Sequence, residues 1–311
     1  MSEDGVIGAK CRLLDLFAEL DEAELESIEQ WICTHAYKKD LENKKLLQNS
    51  EKLLVKIGDS IKKLVPLEAE MATESIAAPT VGDQADCNSI NTCHIDEFLY
   101  DDNQIEDLVK EGTITRHYCL NCYSRNTKEL IFISHSMSRQ ALQYVFNVLL
   151  PKDLEEKQIL DVGSRIGAVL YAAYYFSNVS TIVGVEMNQE CCDIQEKLIA
   201  QYYLDNNRVR VVHADIMDRS DIVRNSDIIV INVLDFFVDT EKHREMWQFF
   251  RKYIRKGSYL VTNRSMCDTL GSLEIFEDVN NWISICKPCQ LENEIFFDLE
   301  HCSELFLYTV N

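Results

Sequence analysis

Asp161, Gly163 and Gly167 punctuate the end of one apolar run, Gln-Ile-Leu-Asp-Val-Gly-Ser-Arg-Ile-Gly at 158–167, and Glu186 closes a second, Ile-Val-Gly-Val-Glu-Met at 182–187. A strand that enters a glycine turn before a helix brings backbone N–H groups close to a ligand, because glycine has no Cβ in the way. A second parallel strand then sets its terminal carboxylate beside the same crevice. Asp161 and Glu186 stand 25 positions apart, room for strand, turn, helix and return strand, and an acid at that second strand end can accept hydrogen bonds from two ribose hydroxyls. The expected ligand is a nucleoside. A dinucleotide fingerprint would need glycine at positions 165 and 168, where this chain has Arg165 and Ala168.

The spacing instead resembles the D-x-G-x-G-x-G turn of class I S-adenosylmethionine-dependent methyltransferases, matched by Asp161, Gly163 and Gly167, with Arg165 in place of the middle glycine. The Arg165 side chain points away from the cofactor, reaches its methionine carboxylate as a cation, or closes the pocket. Residues 209–215, Val-Arg-Val-Val-His-Ala-Asp, form a third β-rich run ending in an acid, and 227–233 a fourth, nearly continuous in branched apolar residues as in a buried parallel strand. Residues 241–254 have helical periodicity and run into Arg-Lys-Gly, a basic last turn with a glycine stop. Further strands are expected at 258–262, 282–286 and 305–310, the last two resembling the pair that closes the methyltransferase sheet.

Over residues 150–311 the resemblance implies an α/β fold: a Rossmann-like sheet of seven strands, the last antiparallel, with helices on both faces. It implies S-adenosylmethionine as cofactor, cradled by Asp161, Gly163, Ser164 and Gly167, with Glu186 on the ribose, Asp215 and Ile216 at the adenine, and Asn232 at the cofactor amine or the acceptor. Asn232 and Asp235 would be the catalytic pair, Asn232 orienting and Asp235, or a water, taking a proton from a nitrogen acceptor. Gly-Val-Glu at the second strand end and Asn232 followed by Phe236 and Phe237 also resemble, in part, the non-SET histone-lysine methyltransferases of the disruptor-of-telomeric-silencing type. That family has glycine where Arg165 stands. Phe236 and Phe237 would wall a channel for an alkyl amine, or pack under the sheet end.

The elements that must hold these residues fall into four stretches: an N-terminal helical module over 1–66, a linker over 67–92, a Cys/His-containing and cofactor-covering connector over 93–150, and the methyltransferase domain over 151–311. Apolar stripes at Leu13, Leu14, Leu16, Phe17 and Leu20, then at Leu46, Leu47, Leu53, Leu54, Ile57, Ile61 and Leu64, predict two or three packed helices or a partner-binding hairpin. Periodicity fails near Ala-Ala-Pro-Thr-Val-Gly, hence the linker. Residues 131–150 read as a short strand and a helix, with His135 and Ser136 either at the cofactor's methionine end or capping that helix.

The formal charge is -21, which repels phosphate backbones and disfavours nucleic acid as a direct partner. Eight acids against Lys110 in 81–110 read as a solvated face or a docking strip for a basic protein. No apolar stretch is long enough to span a bilayer and the N-terminus lacks signal-peptide character, so an intracellular protein, cytoplasmic or nuclear, is expected. The 12 cysteines, spread without a secretion signal, read as reduced thiols. Cys119 and Cys122 have zinc-ligand spacing, but His117, His135 or Cys93 would have to complete the site, and buried thiols are the alternative. Cys286 and Cys289 read as core or surface thiols. Three functions stay open: a transferase acting on a protein side chain, a methyltransferase-like interaction scaffold, and a zinc-dependent adaptor.

Overall fold

A computed structural model describes residues 3–78, 87–121, 125–232, 234, 236–275, 281–299, 302 and 304–311. The chain divides into two compact units, Met1–Asn49 and Ser50–Asn311.

The first unit contains α1 (Glu3–Ala18), α2 (Glu22–Cys33) and the start of α3 (Tyr37–Ile61). Asp21 opens α2 through a capping box: its carboxylate accepts from the backbone of Ala23 and Glu24, and Glu24 reaches back to the Asp21 N–H. Leu13, Leu14, Leu16 and Leu46 of the predicted stripes are exposed.

In the second unit the apolar period of α3 meets a core: Leu54, Ile57 and Ile61 are fully buried. At the start of the stretch read as a linker, Ala69 and Met71 are buried. Two short strands follow, β1 (Thr92–His94) and, after α4 (Asp102–Lys110) and the hairpin of β2 (His117–Cys119) with β3 (Thr127–Glu129), β4 (Ile131–Ile133). β1 and β4 pair in parallel, His94 opposite Ile133. Helix α5 (Arg139–Tyr144) then ends in a π-type turn over Val145–Leu149. Its cap is Ser138, whose hydroxyl takes the Ala141 N–H; Ser136, the serine expected either at the cofactor's methionine end or capping this helix, gives its hydroxyl to Asp96.

The main sheet has seven strands, in the order β10-β11-β9-β8-β5-β6-β7. They are β5 (Gln158–Val162), β6 (Thr181–Glu186), β7 (Val209–His213), β8 (Ile228–Ile231), β9 (Tyr259–Thr262), β10 (Ile283–Ile285) and β11 (Phe306–Val310). β5 to β9 are mutually parallel, and β11 runs antiparallel to both β9 and β10. This is the Rossmann-like arrangement with a reversed last strand. Helices α6 (Ala168–Phe176) and α7 (Gln189–Gln201) contribute to the core on one face, and α8 (Ser220–Asn225), α9 (Thr240–Tyr253) and α10 (Met266–Ser272) to that on the other. Strand alternation divides the side chains between them: Ile159 joins the first core, Leu160 and Val162 the second. The chain leaves β5 towards β6 on one side and returns at β8 on the other, so a crevice opens at the carboxyl ends of these strands, where doubly wound sheets bind ligands.

Candidate active site

The turn after β5 is built from left-handed backbone. Gly163 (φ 68°), Arg165 (φ 45°) and Gly167 (φ 86°) all have positive φ, the region where a Cβ is penalised. Gly163 N and Ser164 N both donate to the Val185 carbonyl at the end of β6, at 2.9 and 3.2 Å. A Cβ on Gly163 would enter open space, so the missing atom leaves room at the cavity, whereas one on Gly167 would stand 2.7 Å from the Tyr171 hydroxyl. Glycine at 167 is therefore a packing requirement as well as a conformational one.

Glu186, the last residue of β6, ties this turn to the next. Its Oε2 accepts from Arg165 N at 2.8 Å and its Oε1 from Asn188 N at 2.7 Å. Burial raises its pKa, against the lowering effect of those N–H donors. Asp161 lies buried one strand over, its pKa pushed up to about 8 by burial and then by the charge of Glu186.

Arg165 resolves the departure from the glycine pattern. Its guanidinium turns to the segment before the sheet: Nε and Nη2 donate to the two carboxylate oxygens of Glu74 at 2.9 and 3.2 Å, Nη1 reaches Asp96 at 3.3 Å, and Nη2 also meets the Ala69 carbonyl. All three side chains are 6% exposed or less. Asp96 is held in turn by the Ser136 hydroxyl at 2.6 Å and the backbone N–H groups of Phe98 and Leu99. The arginine thus clasps Ala69, Glu74 and Asp96 onto the turn, with a bidentate pairing to Glu74 that lysine could not reproduce.

A cavity of about 380 Å³ lies over these strand ends, within the size range of small-molecule sites. Gly163, Glu186, Asp215, Ile216 and Asn232 line it, together with Arg165 and Phe237. Asp161, Ser164 and Gly167 do not: Ser164 gives its hydroxyl to Gln195 at 2.9 Å, and the three shape the turn from behind. Asp235 lies outside the described residues. Asp215 caps a short turn through Met217 N at 2.8 Å and stands 3.7 Å from Lys242 Nζ of α9. The Asn232 amide donates to the His135 carbonyl at 3.1 Å. The two phenylalanines divide their roles: Phe237 lines the cavity, while Phe236 is buried against Cys87 and Ile133.

His135 also lines the cavity, and its Nε2 lies 2.8 Å from His94 Nδ1. Burial, then the Arg165 and His94 charges, lower its pKa to about 3, so the ring is neutral at physiological pH. Glu74, Lys242 and Glu70, which stands near His94, carried no signal in the sequence: Glu74 and Glu70 sit where periodicity fails, and Lys242 is one charge among many on an amphipathic helix. Cys119 is exposed, its thiol directed to the Asn121 carbonyl, and Cys122 lies outside the described residues.

No protein-family model matches the chain, and no curated protein does. Solved structures that resemble it include a precorrin-6y C5,15-methyltransferase from Geobacter metallireducens (12% identity, 57% of this chain and 90% of that one, TM-score 0.38). An O-methyltransferase from Bacillus cereus, solved with S-adenosylhomocysteine, is 16% identical over 57% of this chain and 83% of its own, with a TM-score of 0.36. An RNA methyltransferase from Salinibacter ruber, also with S-adenosylhomocysteine, is 14% identical over 36% of this chain and 66% of its own, with a TM-score of 0.30. These are distant similarities.

Proposed function

We propose that this chain is an S-adenosylmethionine-dependent methyltransferase whose cofactor lies across the carboxyl ends of β5, β6 and β7, with the acceptor entering over Asn232 and Phe237. One observation carries the reading: the open face of Gly163, the carboxylate of Glu186 and the Asp215-Ile216 pair line a single cavity at the sheet's switch point. These residues fit the cofactor. Glu186, already fixed by two backbone donors, keeps carboxylate lone pairs for ribose hydroxyls. Asp215 is an acceptor for the adenine amine.

When bound, S-adenosylmethionine supplies a methyl group activated on a sulfonium. The protein's task is then to orient the acceptor and exclude water, a contribution on the order of 7–11 kcal/mol in well-aligned intramolecular systems. Asn232, held by the His135 carbonyl, orients a polar group at the cavity; Phe237 and His135 form its wall. Asp235 is assigned as the base for a protonated nitrogen acceptor. The net charge of -21 supports a basic protein side chain as that acceptor.

The second reading, a methyltransferase-like scaffold, is favoured by Arg165, which fills a glycine position and locks the covering segment onto the turn. Isothermal titration of the purified chain with S-adenosylhomocysteine separates the readings from a protein without the site. We expect saturable binding that Glu186→Ala abolishes; a flat trace with folded protein would sink the enzyme reading. Binding without methyl transfer to any basic peptide or protein would leave the scaffold.

A further inference from the structure

Three lone-pair atoms from three separate segments converge beside the cavity. Glu70 Oε1 stands 3.4 Å from His94 Nδ1, which stands 2.8 Å from His135 Nε2, and the three lie within 4.8 Å of one another. We propose that Glu70, His94 and His135 form a binding site for a divalent first-row transition-metal ion, and that zinc is its occupant. Nothing in this proposal depends on the methyltransferase reading.

The ligand set is two imidazoles and one carboxylate, which suits zinc as three protein ligands of a site with one position left for water or substrate. Zinc bonds of about 2.0–2.1 Å set tetrahedral ligand atoms about 3.3 Å apart. The 3.4 Å separation already matches, the 2.8 Å one needs to open by roughly half an ångström, and the remaining side to close. A hydrogen bond uses one proton to join two of these atoms; a divalent ion satisfies all three.

The frame that holds them is independent of any ion. Parallel pairing of β1 with β4 sets His94 opposite Ile133, two positions before His135. The His135 main chain is pinned by the Asn232 amide. Glu70 follows Ala69, whose carbonyl is clasped by Arg165. His135 is buried while Glu70 is 40% exposed, so the site is open to solvent on the carboxylate side, giving an ion a way in. His135 belongs to the cavity wall as well. An ion held there would present its remaining coordination position to water or to a heteroatom of a molecule in the cavity, lowering the pKa of whichever it binds.

The test is metal binding by the full chain, read without any assay of activity. Chelator-stripped protein is titrated with zinc chloride against a chromophoric chelator, and separately with cobalt(II) followed by absorption. We expect one equivalent of tight zinc and a cobalt spectrum with d–d bands but no thiolate-to-metal charge-transfer band. His94→Ala should lose the site, Glu70→Gln should weaken zinc binding by at least about 10-fold, and Cys119→Ser should retain it. A thiolate band, or loss of zinc in Cys119→Ser, would place the metal on the cysteines and overturn the proposal; so would folded wild-type protein that holds no stoichiometric zinc. Since a variant could misfold, the wild-type cobalt spectrum alone decides between imidazole-carboxylate and thiolate ligation. Titrating the stripped protein with S-adenosylhomocysteine tests the cofactor reading separately.

Discussion

Arg165 combines two effects of opposite sign. A residue with a Cβ at φ 45° costs of order 1–3 kcal/mol in strained backbone, which glycine would relieve. Its guanidinium, however, is the cation between Glu74 and Asp96, two carboxylates that are 6% and 1% exposed. Removing one partner of a buried ion pair costs about 3–5 kcal/mol because the remaining charge is left uncompensated. The second effect is larger, so Arg165→Gly, although it completes the D-x-G-x-G-x-G spacing, should destabilise the chain by about 2 kcal/mol. Urea denaturation measures this; a variant as stable as the parent would show that the clasp contributes nothing net. Asp96 sharpens the expectation, since burial already raises its pKa and Arg165 is the first of the groups that oppose the rise.

At the scale of elements, the site is a set of strand ends held by helix starts. Asn188 is the N-cap of α7, its side chain accepting from Glu190 N at 2.9 Å and Cys191 N at 3.2 Å, while its own N–H holds Glu186 Oε1. Helix α7 and the carboxylate that the proposal places on the ribose therefore share one residue. Replacing Asn188 with alanine should cost about 1 kcal/mol in thermal stability through the lost cap. It should also weaken S-adenosylhomocysteine binding several-fold in a titration, because the backbone that aims Glu186 is loosened. Unchanged affinity in a destabilised variant would separate the cap from the site. Most of these elements were legible: the runs at 158–162, 182–186 and 228–231 are rich in apolar residues, as strands covered on both faces must be, and the edge run at 209–213 mixes valines with the exposed Arg210 and His213. The cap of α5 was not. Ser136 and Ser138 are equivalent in local sequence, and only the position of Asp96 draws Ser136 away from the helix.

For the whole molecule, one helix serves two compact units. α3 runs from Tyr37 to Ile61 across the division after Asn49. Its apolar residues have the same helical spacing throughout, yet Ile57 is fully buried whereas Leu46 is 65% exposed. Ile57→Ala should cost roughly 2–5 kcal/mol, as large-to-small core changes do. Leu46→Ala should stay within about 0.5 kcal/mol. Paired thermal or urea melts check the contrast, and equal costs would mean that Leu46 is covered in solution. Among the described residues no helix is long and apolar enough to cross a membrane.

The sequence by itself determined the sheet, the glycine turn and the acids at the strand ends, because strand period, left-handed glycine and strand-end carboxylates are local requirements written in consecutive residues. Tertiary structure alone decided which of those residues face the cavity. Ser164 and Gly167 point into packing while Gly163 opens, a difference that depends on Gln195 and Tyr171 from neighbouring helices. It also decided what Arg165 does, since its partners Glu74 and Asp96 come from 91 and 69 positions away. The meeting of Glu70, His94 and His135 is of the same kind. No spacing rule links them; the pairing of β1 with β4 and the packing of the segment at 69–74 bring them together.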